Sequence, residues 1–589
     1  MKSIVSKCLL GIFLSIGIAH AEISYKVTPN LDKKGLQVEM KIPPMGSSLQ
    51  LEMPKWSPGA YILESGIATD LQATDSDGKT LPVNEVTKTS WNIAFPNALP
   101  SAPVTVKYFL SASIVDNTIH FSGPNTYLYV VGRKEEPCRL TLSLPMGWHT
   151  AIGIDPVKGK VNEYAAPTYD VLADNPVTAG KYRELSYTCF GKLHIIAMRG
   201  AAKDDIDAAK IIKLCRGISE AEGSFFGGAP YDRYVWHFSV RDGLDGGGGL
   251  EHLSSTEIGL ASGLGPRTGG LLAHEFFHLW NVKRIRSKPL GPFDYTQLPQ
   301  TGALWWLEGV TDYYATMIPR RYGLERDANL YQNLIGNFNR QGANPERLKI
   351  SPYDSSFKVR ESNGGIGNSN GLGVSYYDTG WLLGFCLDSE ILTQTNGKHS
   401  LDDVIYGLWN LCRDNQPGFD EDEIRKQCVK FGGPSLGPFY DSLVMKPGNL
   451  PTEVQLAKLG LKIESSLAPE TNLGFRLSPR VSAKGAVVSG VETLAKFPGL
   501  KAGDVITSIN GESLEFSSIR KIGLALNAAT NKIRPDARVA LLVRHEDSAS
   551  SVIIRGTAGS KQVKKQVIQV SGETEETKTL RSKWLAKRR

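Results

Sequence analysis

The hydrophobic pattern of this chain changes period part-way along, and that change limits its fold more than any other feature. Up to about Tyr187, polar and apolar residues alternate in short runs such as Gly35-Leu36-Gln37-Val38-Glu39-Met40-Lys41-Ile42 and Val104-Thr105-Val106-Lys107-Tyr108-Phe109-Leu110, broken by Pro and Gly clusters. Period two sends successive side chains to opposite faces of a strand, so residues 22–187 are expected to form an all-β, sandwich-like domain of antiparallel strands. Beyond Leu193 the spacing turns helical. Residues 204–226 set Ile211, Leu214, Cys215 and Ile218 at helical intervals, residues 234–240 alternate as one more strand, and helices are expected at 268–283, 303–320, 376–392, 401–412 and 421–431. Residues 188–445 thus read as a mainly helical domain with a strand-rich start. Lys446-Pro447-Gly448-Asn449-Leu450-Pro451 suits neither helix nor sheet and opens a linker at 446–458. A length of 589 residues exceeds what one core organises, in agreement with a multidomain α+β chain.

Charge is concentrated at the two ends. Lys2 and Lys7 precede an apolar run from Cys8 to Ala19 and the small-residue stretch Ala19-His20-Ala21, the order of a secretory signal peptide over residues 1–21. The run is short for a membrane span, so an exported protein, periplasmic or secreted, with no stable membrane anchor after cleavage is expected. Residues 572–589 carry six Lys/Arg against three Glu and read as a solvated basic tail. Removing the two signal-peptide charges and the three net charges of the tail from the total of +7 leaves +2 for the body, too little for a nucleic-acid footprint. Export permits disulfides among the six cysteines left after the signal, with Cys138–Cys189 and Cys412–Cys428 as candidate pairs and Cys215 and Cys386 as buried thiols. None of the six shows the CxxC spacing of a second metal site.

His274-Glu275-Phe276-Phe277-His278 lies inside the helix expected at 268–283. Residues four apart share a helical face, so both imidazoles reach one metal, and imidazole pairs suit zinc. Glu275 sits close enough to act as general base on the water at that metal. A catalytic zinc takes three protein ligands, and Glu308 is the candidate third, because a carboxylate in the apolar stretch Leu304-Trp305-Trp306-Leu307-Glu308-Gly309-Val310 is costly to bury without a cation. Asp312, one turn on, is placed to orient a ligating imidazole.

The run from His274 through Leu279-Trp280-Asn281-Val282-Lys283-Arg284-Ile285-Arg286, the later Gly291-Pro292-Phe293-Asp294-Tyr295 and Glu308-Gly309, and the early Trp56-Ser57-Pro58-Gly59-Ala60-Tyr61 together resemble the glycyl aminopeptidase family, metallopeptidase family sixty-one. The resemblance implies a gluzincin-type site with one zinc per chain, a thermolysin-like catalytic domain behind an N-terminal β domain, and release of small N-terminal residues, Gly or Ala. It implies two further roles. Glu251, after Gly246-Gly247-Gly248-Gly249-Leu250, matches the Glu that holds the substrate amine in the wider zinc aminopeptidases, although Leu250 and His252 depart from their usual Met and Asn. Tyr377, or its neighbour Tyr376, matches the oxyanion-stabilising Tyr of a Tyr-x-Lys-Gly signature in which Thr379 replaces Lys. Residues 459–571 resemble a PDZ domain, with Gly499-Leu500-Lys501-Ala502-Gly503-Asp504-Val505-Ile506 leading to Ile509-Asn510-Gly511, and imply a peptide ligand for it. Two other readings stay open: a periplasmic zinc endopeptidase whose PDZ domain captures exposed C-termini, and a PDZ-based binding protein with a vestigial metal site.

Overall fold

The computed structural model of the chain describes residues 22–43, 48–61, 63–95, 102–243, 246–358, 374–413, 418–466, 470–482, 485–491, 497–516, 519–545, 550–561 and 564–587; the expected signal peptide lies outside them. The N-terminal domain is β-rich, as its alternation requires. Its largest sheet has seven strands and is centred on Ile23–Asn30, Gly35–Ile42 and Val104–Ser111, and two four-stranded sheets accompany it. Ile23, Tyr25 and Val27 point inward while Lys26 is exposed. One pairing breaks the expected antiparallel rule: Ile23–Val27 run parallel to Cys138–Leu142.

The next sheet begins at Arg183–Cys189, and the boundary expected at 187/188 lies within this strand. That strand is tied by hairpin register to Lys192–Arg199, with Arg183 opposite Met198. Lys192–Arg199, Arg233–Arg241 and Ser255–Ala261 are mutually parallel, and the short Gly249–Glu251 closes the edge antiparallel to Ser255–Ala261. The crossover helix Ala208–Phe226 starts later than its apolar spacing suggested. The Asp207 side chain accepts the Lys210 N–H and caps it there, and Gly227 at φ 81° ends it.

Helices then dominate. Leu401–Cys412 has the expected bounds, held by a Ser400/Asp403 capping box, and Tyr376–Gln394 and Asp422–Gly432 differ from expectation by one or two residues. Asp327–Ala343 and Leu436–Val444 are helices that the sequence reading did not name.

Three expectations need correction. All six cysteines are buried free thiols, so neither candidate disulfide forms; Cys138 lies in the N-terminal sheet and Cys189 in the sheet that begins at Arg183. The linker folds as the helix Thr452–Lys458, because Leu456 finds a place in the main core. The supposed solvated tail is the helix Glu575–Leu585. Its Trp584 is 1% exposed, donates from Nε1 to the Tyr313 hydroxyl at 2.8 Å, and gives its carbonyl to Arg321.

Between these two helices the chain leaves and re-enters the main body through one antiparallel ribbon, Leu461–Ser466 with Lys564–Gln569. The ribbon frames a small β unit of strands Phe475–Ser482, Gly485–Val491, Val505–Ile509, Arg538–Arg544 and Ser551–Thr557 with the helix Ile519–Asn531, which has its own core around Val488, Ile506, Ile509 and Leu541. Among the described residues no helix is long and apolar enough to cross a membrane.

Candidate active site

The helix carrying His274 runs from Thr268 to Phe277, shorter than expected, and turns tightly after His278. The early ending has a use. It swings the Asn281 carbonyl back to accept from His278 Nδ1 at 2.7 Å, while the Asn281 amide donates to the Trp306 carbonyl at 3.1 Å. Asn281, fully buried, thereby joins this helix to the segment that carries Glu308. That segment, Trp305–Val310, is a π-helical turn feeding the α-helix Thr311–Arg321, where one continuous helix was expected. Asp312 Oδ1 lies 2.8 Å from His274 Nδ1.

Both imidazoles thus spend their Nδ1–H on an acceptor, Asp312 for His274 and the Asn281 carbonyl for His278, which leaves each Nε2 as a lone pair. The two Nε2 atoms face each other at 2.9 Å, and Glu308 Oε2 stands 3.6 and 3.4 Å from them. Three converging acceptors in a buried pocket are a repulsive arrangement without a cation, and two nitrogens plus one carboxylate oxygen is a donor set that suits zinc. Burial alone would depress the His274 pKa, yet Asp312 and Glu308 raise it well above normal; the same anions favour a divalent ion. Burial would raise Glu308, but the two imidazoles hold it low. The residues therefore fit zinc.

Two more carboxylates flank this centre. Glu275 follows His274, and burial pushes it up to about 7 against the opposing pull of the two imidazoles. Its carboxyl fills the space left by Gly249, where a Cβ would come within 2.3 Å of it. Glu251 sits two residues further along that edge strand and is 4% exposed; Gly59 of the N-terminal domain, at φ 93°, lies against its carboxylate. Gly249, and Gly246 where a Cβ would meet the Gly259 carbonyl oxygen at 2.3 Å, are therefore close-approach residues, whereas Gly248 faces open space. Acidic and imidazole atoms of Glu251, Glu275 and His278 lie within 4.8 Å of one another, so the two carboxylates face the same space as the metal ligands.

The departure at His252 has a local compensation. His252 bridges Asp174 and Glu257 at 3.0 Å each, and Asp174, contributed by the N-terminal domain, also receives the Leu253 N–H at 2.9 Å and Lys283 at 2.8 Å. Burial would depress His252, but these two carboxylates push it up to about 9, so it is a fixed cation that anchors the strand behind Glu251.

Tyr377 opens the helix Tyr376–Gln394, and its ring centroid is 5.9 Å from that of His274. Its placement rests on two glycines. A Cβ on Gly309 would meet the Tyr376 carbonyl oxygen at 2.2 Å, and one on Gly380 would meet the Trp305 carbonyl oxygen at 2.1 Å, so the two backbones touch. Burial and the nearby Glu308 both raise the Tyr377 hydroxyl well above its usual range and keep it a proton donor.

A third tyrosine was missed as a site residue. Tyr61, 4% exposed and at φ 50°, feels Glu308 and Glu251, and the Trp56 beside it donates to the Asp294 carbonyl at 2.8 Å. The two motifs that carried the resemblance at 56–61 and 291–295 thus pack on each other across the domain boundary. Their side-by-side presence in the sequence reading was the only available signal.

The N-terminal domain model of family M61 matches residues 24–181, and the M61 glycyl aminopeptidase model matches residues 267–383. No curated protein matches. Among solved structures, an aminopeptidase N family protein from Idiomarina loihiensis is 22% identical with a TM-score of 0.72, over 96% of this chain and 100% of that one. An M1 zinc metallopeptidase from Deinococcus radiodurans is 12% identical with a TM-score of 0.46, over 73% of this chain and 95% of that one.

Proposed function

We propose that this chain, matched by the M61 glycyl aminopeptidase models and carrying the buried His274, His278 and Glu308 set, is a zinc metallopeptidase that removes single small residues, Gly or Ala, from free N-termini of peptides. The observation that carries the exopeptidase reading is Glu251. It is a buried carboxylate to which no described side chain donates a hydrogen bond, and it stands within 4.8 Å of Glu275 and His278. Such a group awaits a cation, and a substrate ammonium is one of the right size.

In this reading His274, His278 and Glu308 would hold one zinc, which would supply Lewis acidity toward the scissile carbonyl and toward water. Glu251 accepts hydrogen bonds from the substrate ammonium and fixes the peptide's register. Glu275 takes the proton of the attacking water and returns it to the leaving amine, and its buried setting keeps its proton affinity in the range that a general base at neutral pH needs. Tyr377 donates its O–H to the oxygen that gains charge as the carbonyl becomes tetrahedral. Asp312 and the Asn281 carbonyl do no proton transfer and keep the two imidazoles aimed.

The test compares one peptide in free and N-acetylated forms with wild type and Glu251→Gln. Cleavage confined to the free form, with kcat/KM falling roughly 10²-fold or more in the variant, supports the reading. Equal cleavage of both forms would instead make the chain an endopeptidase. Glu275→Gln should lose roughly 10²- to 10⁴-fold in kcat while still binding zinc; bound zinc with no hydrolysis by wild type would leave only a binding protein.

Two further proposals concern the rest of the chain. Residues 1–21 direct export, and the small β unit acts as a PDZ-like module for C-terminal peptides. The second draws on the Asn510-Gly511 turn after Val505–Ile509 and on the separate core. Titration of the full chain with peptides bearing free or amidated C-termini tests it: only the free form should bind.

A further inference from the structure

A cavity of about 470 Å³ opens between the two domains, and Glu251, Gly59 and Tyr61 form part of its wall. Glycine and alanine side chains leave such a space empty. Part of its charged lining is already paired. Asp174 is held by Lys283 and His252, while Asp170 accepts the Phe293 N–H at 3.1 Å on Oδ2 and faces Lys134 at 3.9 Å with an Oδ1 that has no hydrogen-bond partner. Glu135 is exposed at the rim.

One cation in the lining has no such partner. The Arg286 guanidinium lies against Gly291, where a Cβ would come within 2.3 Å of it, and among the described residues no hydrogen bond or ion pair engages it. Burial depresses its pKa below the usual value despite the nearby Asp170 and Asp174, the mark of a charge whose lost hydration has not been replaced. The Glu251 carboxylate and the Arg286 guanidinium, two groups of opposite sign with no side-chain hydrogen bond among the described residues, therefore share one cavity.

We propose that this cavity is the pocket for the first substrate residue and that Arg286 makes it accept an acidic side chain, so that peptides beginning with Asp or Glu form a second substrate class beside Gly and Ala. The α-ammonium pairs with Glu251 and the side-chain carboxylate with Arg286, a charge-assisted and geometrically directed contact. The isosteric amides Asn and Gln fill the same volume but leave the guanidinium unpaired. The proposal rests on the aminopeptidase reading above, since it needs the amine at Glu251.

The experiment measures kcat/KM of the zinc-loaded full chain on aminoacyl-coumarin amides of Gly, Ala, Asp, Asn, Glu and Gln. Glu over Gln, or Asp over Asn, should be favoured roughly tenfold or more. In Arg286→Gln that ratio should fall to about one whatever the overall activity, and Arg286→Lys should recover part of it. Cleavage of Gly and Ala substrates with acid-to-amide ratios at or below one in wild type would overturn the acidic pocket alone. A wild-type preference that survives Arg286→Gln would overturn the role of Arg286. If no free-amine substrate is cleaved, the aminopeptidase reading fails, and the pocket assignment with it.

Discussion

Asn281 and Asp312 each occupy the Nδ1 of one imidazole, and this fixes which nitrogen each ring turns toward the metal. Asp312→Ala should weaken zinc binding roughly 10- to 100-fold in a zinc-buffer titration, with much of the lost activity returning at saturating zinc. Tyr377→Phe should lower kcat roughly 10²- to 10³-fold and move KM little. The same loss in Tyr61→Phe, with Tyr377→Phe near wild type, would transfer the oxyanion role to Tyr61. At this scale the sequence was informative where chemistry is tied to spacing. The pair His274 and His278 is legible from one helical turn, and Glu308 from a carboxylate stranded among tryptophans. Asn281, Asp174 and Tyr61 were not legible as site residues. Asp174 meets Lys283 across 109 positions, and Tyr61 reaches the site from another domain, so no local pattern marks them.

The π-turn Trp305–Val310 and the helix Tyr376–Gln394 meet backbone to backbone, and this contact sets the distance between Glu308 and Tyr377. Gly309→Ala or Gly380→Ala should destabilise the protein by roughly 1–3 kcal/mol or more in thermal or urea unfolding, because the added methyl meets carbonyl oxygens and not a movable side chain. Activity should fall beyond what stability explains. Period and capping chemistry located Tyr376–Gln394 and Leu401–Cys412 within two residues. The break at His278 was not legible, because it depends on the partner that the Asn281 carbonyl finds. The helix Glu575–Leu585 escaped notice because Leu580 and Trp584 form a narrow apolar stripe among charges, which as a run reads like a solvated face.

Across the whole molecule, the domains are joined by the buried relay Lys283–Asp174–His252–Glu257–His120. Because His252 is raised in the folded state to about 9 from an unfolded value near 6.5, its contribution to stability is complete below about pH 6.5 and is lost as pH rises through 9. Asp174 and Glu257 are held below their usual values, so their share is lost only as pH falls through the acidic range. Melting temperature measured at fixed saturating zinc should therefore drop between pH 6.5 and 9, and this drop should shrink in His252→Asn. At the other end of the chain, Trp584→Ala should cost about 3–5 kcal/mol in unfolding experiments, as expected for emptying a fully buried indole site. The same Trp584 ties a distant stretch of the chain to the helix that carries Asp312. Its ring bonds to Tyr313 across 271 positions, and every proposed ligand and catalytic residue lies upstream of it. A chain cut short by a premature stop codon just before Glu575 would keep the whole active-site sequence and still leave the main core unplugged. Such a product would be exposed to proteolytic clearance, so the integrity of the active-site domain depends on residues that take no part in its chemistry.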